Sequence, residues 1–254
     1  MEATKPAPVF RKPLLNAAGS LGYAPDLRVG IPWEDFGAFV TNPISARPRQ
    51  PANGTRMRTF AGGILLHTGH FNPGFLKILK RFSRRWAQAP LPVIVHLLAD
   101  RPEEIHKMVV RLETIENIAG VEIGFPADAT SDEVVEALAG AAGELTVIAR
   151  LSLSCAVDLA SGVIRAGVSA LSLAPPRGAL PGHGGELISG RLYGPGVFPQ
   201  VLLVTSELAR QGIPLIAAGG VYRREDADAL LDAGALAVQV DAVLWRGDWL
   251  ERGD

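Results

Sequence analysis

Short apolar segments alternate with amphipathic segments along nearly the whole chain, and the alternation recurs eight times. Runs rich in β-branched residues predict buried strands, and the segments between them carry apolar residues at helical spacing. Phe75, Ile78, Phe82 and Trp86 show that spacing between the second and third strands. The predicted strands are Pro13–Ala18, Gly37–Ile44, Pro92–Leu98, Val121–Phe125, Leu145–Leu151, Ala170–Ala174, Ile213–Ala218 and Ala235–Val240.

Eight strand–helix units close most economically into a (β/α)₈ TIM barrel of the α/β class, here one domain spanning residues 1–254. A doubly wound open sheet is the alternative, but no G-x-G-x-x-G opens a helix after an early strand. The last helix is expected to be a truncated stub around Trp245–Glu251. A partner subunit, and hence a homo-oligomer, or another segment would then cover the seam.

Two stretches lack this regular alternation. The segment from Ser45 to Asn72 is predicted to be a long loop, within which Phe60–Leu66 forms a short strand or one arm of a hairpin. The segment from Pro175 to Gly196 contains seven glycines and little periodicity, and is predicted to be a second long loop. Loops of this length are uncommon in compact domains and are often functional.

Composition narrows the functional classes. The chain of 254 residues carries 25 basic and 26 acidic residues, so no overall field favours nucleic acid or an anionic membrane. Its one cysteine, Cys155, excludes an internal disulfide and any multi-cysteine metal site. No apolar run approaches the roughly 20 residues that span a bilayer. We therefore expect a cytoplasmic protein with a small-molecule ligand at the barrel mouth.

Several segments occur in the order of a known family. They are Asn16-Ala17-Ala18-Gly19-Ser20-Leu21-Gly22-Tyr23, Gly37-Ala38-Phe39-Val40-Thr41, Gly69 with Asn72-Pro73-Gly74, Pro92-Val93-Ile94-Val95, Gly184-Gly185 with Ser189-Gly190, Ile213-Pro214-Leu215-Ile216 with Gly219-Gly220, and Ala233-Gly234-Ala235 with Val238-Gln239-Val240. Together they resemble the dihydroorotate dehydrogenase family, whose FMN-binding barrels oxidise dihydroorotate to orotate. The resemblance implies that fold, FMN as cofactor and a role in pyrimidine biosynthesis.

The residues that this family uses for chemistry are mostly replaced. Family lysines fall at Asn42 and Arg150, family asparagines at Leu66, His96 and Pro175, the proton-abstracting Cys or Ser position at Ala127, and the Gly-Thr of the phosphate site at Asp241-Ala242. Removing a proton beside the hydride-donating carbon requires a positioned base, and alanine has no titratable group. We therefore expect no competent oxidation of dihydroorotate.

The remaining candidates for cofactor contacts follow from the same resemblance. They are the strand-one turn Ala17, Ala18 and Gly19, then Asn42, Arg150, Ser189, Gly190, Gly219 and Gly220. His67, His96 and Arg150 are the candidates for catalysis, and no metal is expected. Gly219-Gly220 is equally a tight strand-to-helix turn. Arg150 is alternatively the partner of Glu122, which alternation also points into the barrel.

Two hypotheses about function stay open. One is an FMN-binding oxidoreductase that acts on something other than dihydroorotate. The other is a non-catalytic, flavin-free binding or assembly subunit derived from the same family. An aldolase or synthase would need an inward lysine at a strand end, but Lys77, Lys80 and Lys107 all fall on predicted helices.

Overall fold

Eight parallel strands close into a barrel in the computed structural model, which describes residues 5–126, 129–182 and 184–245. The barrel strands are β1 (Leu14–Asn16), β2 (Phe36–Val40), β5 (Val93–Leu98), β6 (Ile118–Gly124), β7 (Thr146–Ser152), β8 (Ala170–Ala174), β11 (Leu215–Ala218) and β12 (Ala237–Val240). Their order around the barrel is β1-β12-β11-β8-β7-β6-β5-β2. The predicted (β/α)₈ barrel is confirmed.

Within the described residues, six α-helices cover the outside of the barrel. They are α1 (Phe75–Ala87), α2 (Pro102–Leu112), α3 (Ser131–Gly140), α4 (Ala156–Arg165), α5 (Phe198–Arg210) and α6 (Arg224–Asp232). Residues at the first turn explain where two of these helices begin. Pro102 occupies the first turn of α2, and the Thr130 side chain accepts the Glu133 N–H at the start of α3.

The eightfold alternation is wrong in its first unit, because no α-helix joins β1 to β2. That connection contains only a short 3₁₀ helix, Trp33–Asp35. Gly19, Gly22, Pro25 and Gly30 interrupt it too often for a helix to persist. Of the expected terminal stub only Trp245 lies among the described residues, as the last residue of the 3₁₀ helix Ala242–Trp245. The remainder of the stub falls outside them.

The barrel interior has an apolar lower part and a polar upper part. The apolar cluster consists of Leu15, Ala38, Val40, Ile94, Ile148, Ile216 and Ala237, with Phe10 packed against it. Above it, towards the carboxyl ends of the strands, lie the buried polar side chains of His96, Glu122, Arg150, Ser172 and Gln239. The polar side chains thus face the end of the barrel where ligands bind in this fold.

A second sheet stands at that end of the barrel, and it corrects the prediction that Pro175 to Gly196 is a loop. This mouth sheet is antiparallel, in the order β3-β4-β10-β9, and consists of β3 (Met57–Phe60), β4 (Gly63–Leu66), β9 (Arg177–Pro181) and β10 (Leu187–Tyr193). The hairpin expected near Phe60–Leu66 is present as β3 and β4. Pairing of β10 with β4 joins segments far apart in the sequence, which local periodicity does not report.

Glycines make that pairing possible, and Gly190 is one of them. A Cβ atom at Gly190 would lie 2.5 Å from the backbone oxygen of Leu66 on the neighbouring strand. Real Cβ contacts are not that short, so a larger residue would push β10 away from β4.

Among the helices of the described residues, none has the length and the apolar character that a membrane span requires.

The apolar lower part of the barrel predicts a stability difference. Leu15→Ala should lower the free energy of unfolding by about 2–5 kcal/mol, because it leaves a cavity around a side chain that is fully buried. Val9→Ala is the control, since Val9 is 96% exposed and its loss should change stability by less than about 0.5 kcal/mol. Urea unfolding followed by circular dichroism measures both. Equal midpoints for the two variants would contradict this packing.

Candidate functional site

A cavity of about 370 Å³ lies between the carboxyl ends of the barrel strands and the mouth sheet. Its floor includes His96 from β5 and Arg150 from β7, and its walls include the turns that follow β1 and β2. The mouth sheet contributes Arg177, Arg191 and Tyr193. The volume lies within the range of small-molecule sites, so we take this mouth cavity as the candidate ligand site.

The floor of the mouth cavity is organised by one buried carboxylate. Glu122 Oε2 accepts from His96 Nδ1 at 2.6 Å and from Arg150 Nη1 at 3.1 Å. Its other oxygen, Oε1, accepts from Ser172 Oγ at 2.6 Å and from Gln239 Nε2 at 2.7 Å. The ion pair predicted between Arg150 and Glu122 is therefore present. Five strands meet through this carboxylate, because the five side chains belong to β5, β6, β7, β8 and β12.

The charge state of Glu122 follows from these contacts. Burial opposes its ionisation, but the positive charge of Arg150 and the hydrogen bonds from His96 and Ser172 prevail and lower the pKa of Glu122 below its usual range. An ionised carboxylate can only accept hydrogen bonds, so His96 carries its proton on Nδ1. Burial lowers the pKa of His96, so its ring is neutral and Nε2 is an acceptor.

The other histidines of the cavity are less constrained by partners. His67 is exposed at the rim of the cavity. His70 adopts a left-handed backbone with φ of 51° and also lines the cavity. Burial, and next the charge of Arg191, lower the pKa of His70 to about 3, so it stays neutral. No group of three or more His, Cys, Asp or Glu side chains placed to hold a metal occurs within residues 5–126, 129–182 and 184–245.

The turn after β1 reaches the cavity with part of its backbone. Ala18 and Gly19 line the wall, and Gly19 has φ of 93°. Ala17 is buried, and its N–H donates to the backbone oxygen of Val240 at 2.7 Å. Asn42 also lines the wall, where its Oδ1 accepts the Gly22 N–H at 3.0 Å. Of these candidates only Ala17 is turned away from a ligand in the cavity.

Of the two candidate pairs that contain glycine, Ser189-Gly190 reaches the cavity through one residue and Gly219-Gly220 does not reach it. Gly190 lines the cavity, whereas Ser189, its neighbour on β10, is exposed and does not. Gly219 and Gly220 have φ of 112° and 74° and are not part of the cavity wall. A Cβ at Gly220 would lie 2.3 Å from the backbone nitrogen of Phe198. Their geometry is that of the tight strand-to-helix turn, packed against the start of α5.

Asp241, at the end of β12, lies in the wall of the mouth cavity. Its side chain is buried, and its Oδ1 accepts the backbone N–H of Ala242. Burial raises the pKa of Asp241 to about 6, although the Ala242 N–H and the charge of Arg150 both lower it. The first N–H of the 3₁₀ helix Ala242–Trp245 is therefore satisfied by an internal carboxylate.

The sequence pattern does not reveal these mouth sheet residues, because the glycine-rich segment that contains them predicts a loop. Arg177, Arg191 and Tyr193 reach the cavity from β9 and β10. Arg191 and Tyr193 are two positions apart, the spacing at which strand residues share a face. That alternation, in the stretch from Leu187 to Tyr193, was the signal that could have identified them.

Cys155 stands apart from this cavity. It is half-buried at the start of α4, and burial raises the pKa of its thiol. The thiolate is the nucleophilic form of cysteine, so the raised pKa disfavours a catalytic role. Ala127, at the position of the proton-abstracting residue in the family pattern, lies outside the described residues.

Removing the central carboxylate should destabilise the protein. We expect Glu122→Ala to lower the free energy of unfolding by about 3–5 kcal/mol, since Arg150 and His96 would stay buried without their acceptor. Glu136→Ala is the matched control, because Glu136 is exposed on α3. Chemical denaturation of both variants measures the difference. A loss no larger than that of the control would show that the carboxylate does not hold the strands together.

Asp241 predicts a specific dependence of stability on pH. Its folded-state pKa lies above its unfolded value of 3.8, so its contribution is complete below about pH 4 and is lost as pH rises through about 6. Asp241→Asn keeps an acceptor for the Ala242 N–H and cannot ionise. Relative to the native protein, it should gain up to roughly 3 kcal/mol as the pH rises from about 4 to about 7. Thermal melts across that range measure the gain, and a difference independent of pH would contradict the assignment.

Comparisons with known proteins agree with this fold. Relatives named "Dihydroorotate dehydrogenase B (NAD(+)), catalytic subunit" include one from Pelobacter propionicus, 31% identical over 256 residues that cover 91% of this chain and 83% of the relative. Those of Trichlorobacter lovleyi and Geobacter sulfurreducens are 28% and 29% identical over 255 residues, with the same coverage. No protein-family model matches the chain. With this identity over nearly its whole length, the chain belongs to the dihydroorotate dehydrogenase family.

Proposed function

We propose that this family member binds a small molecule in the mouth cavity without FMN, and that it does not oxidise dihydroorotate. The observation that carries the proposal is the position of Asp241, a buried carboxylate where the family pattern places its phosphate site. The mouth cavity itself is present, with about 370 Å³ of space under the mouth sheet. A binding barrel without the family's redox chemistry accounts for both features.

The phosphate of FMN does not fit the residues at this end of the barrel. In many barrels the loops after strands seven and eight, and the start of a short extra helix, hold a phosphate. Here Gly220 packs against Phe198, and the Ala242 N–H donates to Asp241. A phosphate about 4 Å from an ionised Asp241 would meet a repulsion of about 4 kcal/mol per pair of charges at an effective dielectric constant near 20.

The polar groups that would hold and deprotonate dihydroorotate are also replaced. Leu66 lines the cavity with an alkyl side chain, where the family pattern has an asparagine. Pro175 cannot offer a side-chain hydrogen bond. A site that lacks the partners of a polar substrate discriminates strongly against that substrate. His96 keeps a lone pair on Nε2, but Glu122 fixes its ring at the cavity floor.

A second candidate function is an FMN-binding oxidoreductase with another substrate. The turn at Ala18 and Gly19 favours it, since both residues line the cavity at the end of β1. Arg150 supports it as well, because its positive charge lies at the cavity floor, where a reduced flavin would carry negative charge. This hypothesis requires the phosphate to avoid Asp241, and it makes a distinct spectroscopic prediction.

The visible spectrum separates the two functions. We expect the purified protein to be colourless, to show no saturable change on titration with FMN, and to produce no orotate from dihydroorotate with added FMN and an electron acceptor. Asp241→Gly combined with Ala242→Thr restores the family's Gly-Thr pair and removes the repelling charge. This double variant should bind FMN at least about tenfold more tightly than the native protein does.

Two results would contradict the proposal. A flavin band in the native protein that survives gel filtration would favour the oxidoreductase, and turnover of dihydroorotate would restore the activity of the family. Asp241→Asn serves as the charge control. If it binds FMN no better than the native protein while the Gly-Thr variant does, backbone access rather than charge excludes the phosphate.

A further inference from the structure

We propose that Arg150, Arg177 and Arg191 form a binding site for a compact anion, a phosphate or carboxylate group, beneath the mouth sheet. The inference rests on the proposed function in one respect, namely that the mouth cavity holds a small-molecule ligand. It adds the chemical class of that ligand. The three residues are called the arginine cluster below.

The first observation is that two like charges stand directly opposite each other. Arg191 on β10 is the register partner of Arg177 on the antiparallel strand β9. Like charges at such positions destabilise a sheet. Neither guanidinium donates a hydrogen bond or forms an ion pair with any other residue that the structure describes. An anion bound between them would turn this repulsion into attraction.

The second observation is a buried donor that has no acceptor. The Arg150 side chain is only 3% exposed, and its Nη1 donates to Glu122 and to Gln239. Its Nε, however, has no hydrogen-bond partner among the described residues. Buried polar atoms are normally satisfied, so Arg150 keeps an unsatisfied donor within a residue that lines the cavity.

The third observation is that the three arginines lie together. All three line the mouth cavity, and all three also line a smaller neighbouring cavity of about 50 Å³ beside β6, β7 and β8. They therefore stand on the boundary that the two cavities share. Burial, and next the charge of Arg150, lower the pKa of Arg191 to about 10, as expected for a guanidinium that is partly removed from water near another positive charge.

The charge balance of the surroundings leaves the arginine cluster uncompensated. Glu122 offsets one charge, that of Arg150, and is itself shared with His96. Arg49, another arginine of the cavity wall, is paired with Asp100. Asp241 is the remaining carboxylate of the described cavity wall, and its charge acts on Arg150 rather than on Arg177 or Arg191. Two positive charges, on Arg177 and Arg191, stay available for a ligand.

Guanidinium groups select the chemistry of that ligand. Each presents parallel N–H donors that match the oxygens of a carboxylate or a phosphate. Three such groups around one position fit a compact group with several oxygens better than they fit a neutral ring. We therefore infer that the ligand carries its phosphate or carboxylate under the mouth sheet and extends from there into the mouth cavity.

Calorimetric titration of the full-length protein tests the site with defined probes. Inorganic phosphate, ribose 5-phosphate and succinate are titrated separately at constant ionic strength into the native protein and three variants, Arg177→Gln, Arg191→Gln and Arg84→Gln. We expect at least one probe to bind saturably to the native protein, and about tenfold or greater weakening in the first two variants. Arg84 is exposed on α1, so its variant should bind as the native protein does.

The probes distinguish the source of the anion. Tighter binding of ribose 5-phosphate than of inorganic phosphate would identify a phosphorylated small molecule as the ligand, whereas preference for succinate would identify a carboxylate. Both results support the site. Saturable binding of none of the three probes, or equal weakening by Arg84→Gln, would overturn it.

Thermal melting provides a second readout that does not depend on tight binding. Without any probe, Arg191→Gln should melt at a higher temperature than the native protein, because the repulsion across β9 and β10 is relieved. The bound probe should raise the melting temperature of the native protein more than that of this variant. A variant that melts lower and still binds the probe would overturn the site. FMN binding would overturn the flavin-free function alone, because phosphate titration decides the arginine cluster separately.

Discussion

The buried carboxylate of Glu122 is the interaction on which the ligand end of the barrel depends. Four donors from four other strands converge on its two oxygens, among them the ring of His96 and the guanidinium of Arg150. A charge taken out of water is tolerable only when its partners compensate it fully, so each of these side chains is held in one orientation. The apolar cluster around Leu15 supports the barrel from below. The carboxylate therefore decides what the cavity floor presents to a ligand, namely a fixed imidazole and a fixed positive charge.

The mouth sheet adds the second half of the site. Its strands β4 and β10 come from separate parts of the chain, and Gly190 permits their close approach. This pairing brings Arg177 and Arg191 over the same cavity that Arg150 lines from below. The barrel contributes rigidity and the mouth sheet contributes unpaired charge. A cavity built in this way favours an anionic ligand over the neutral or weakly polar groups that an amide-lined site would hold.

Membership of the dihydroorotate dehydrogenase family and the chemistry of the cavity point in different directions. The alignment with the relatives covers 91% of this chain, and all eight strands of its barrel are present. The cavity wall nevertheless carries Leu66, Asp241 and Arg150 where the family pattern has an asparagine, a glycine and a lysine. Strand interiors preserve a fold because they form its core, whereas residues at the strand ends are free to change the ligand. The homo-oligomer and the cytoplasmic location stay predictions, and so does the absence of FMN proposed above.

The sequence by itself determined the barrel, because the faces of strands and helices are reported by spacing within each element. It also predicted the pair of Arg150 and Glu122, since alternation places both inside neighbouring strands. Only the tertiary structure decided that Gly219-Gly220 packs against α5, that Asp241 is buried in the cavity wall, and that a supposed loop forms half of the mouth sheet. Those outcomes depend on contacts between segments distant in the chain. Local periodicity carries no information about which distant segment a strand will meet.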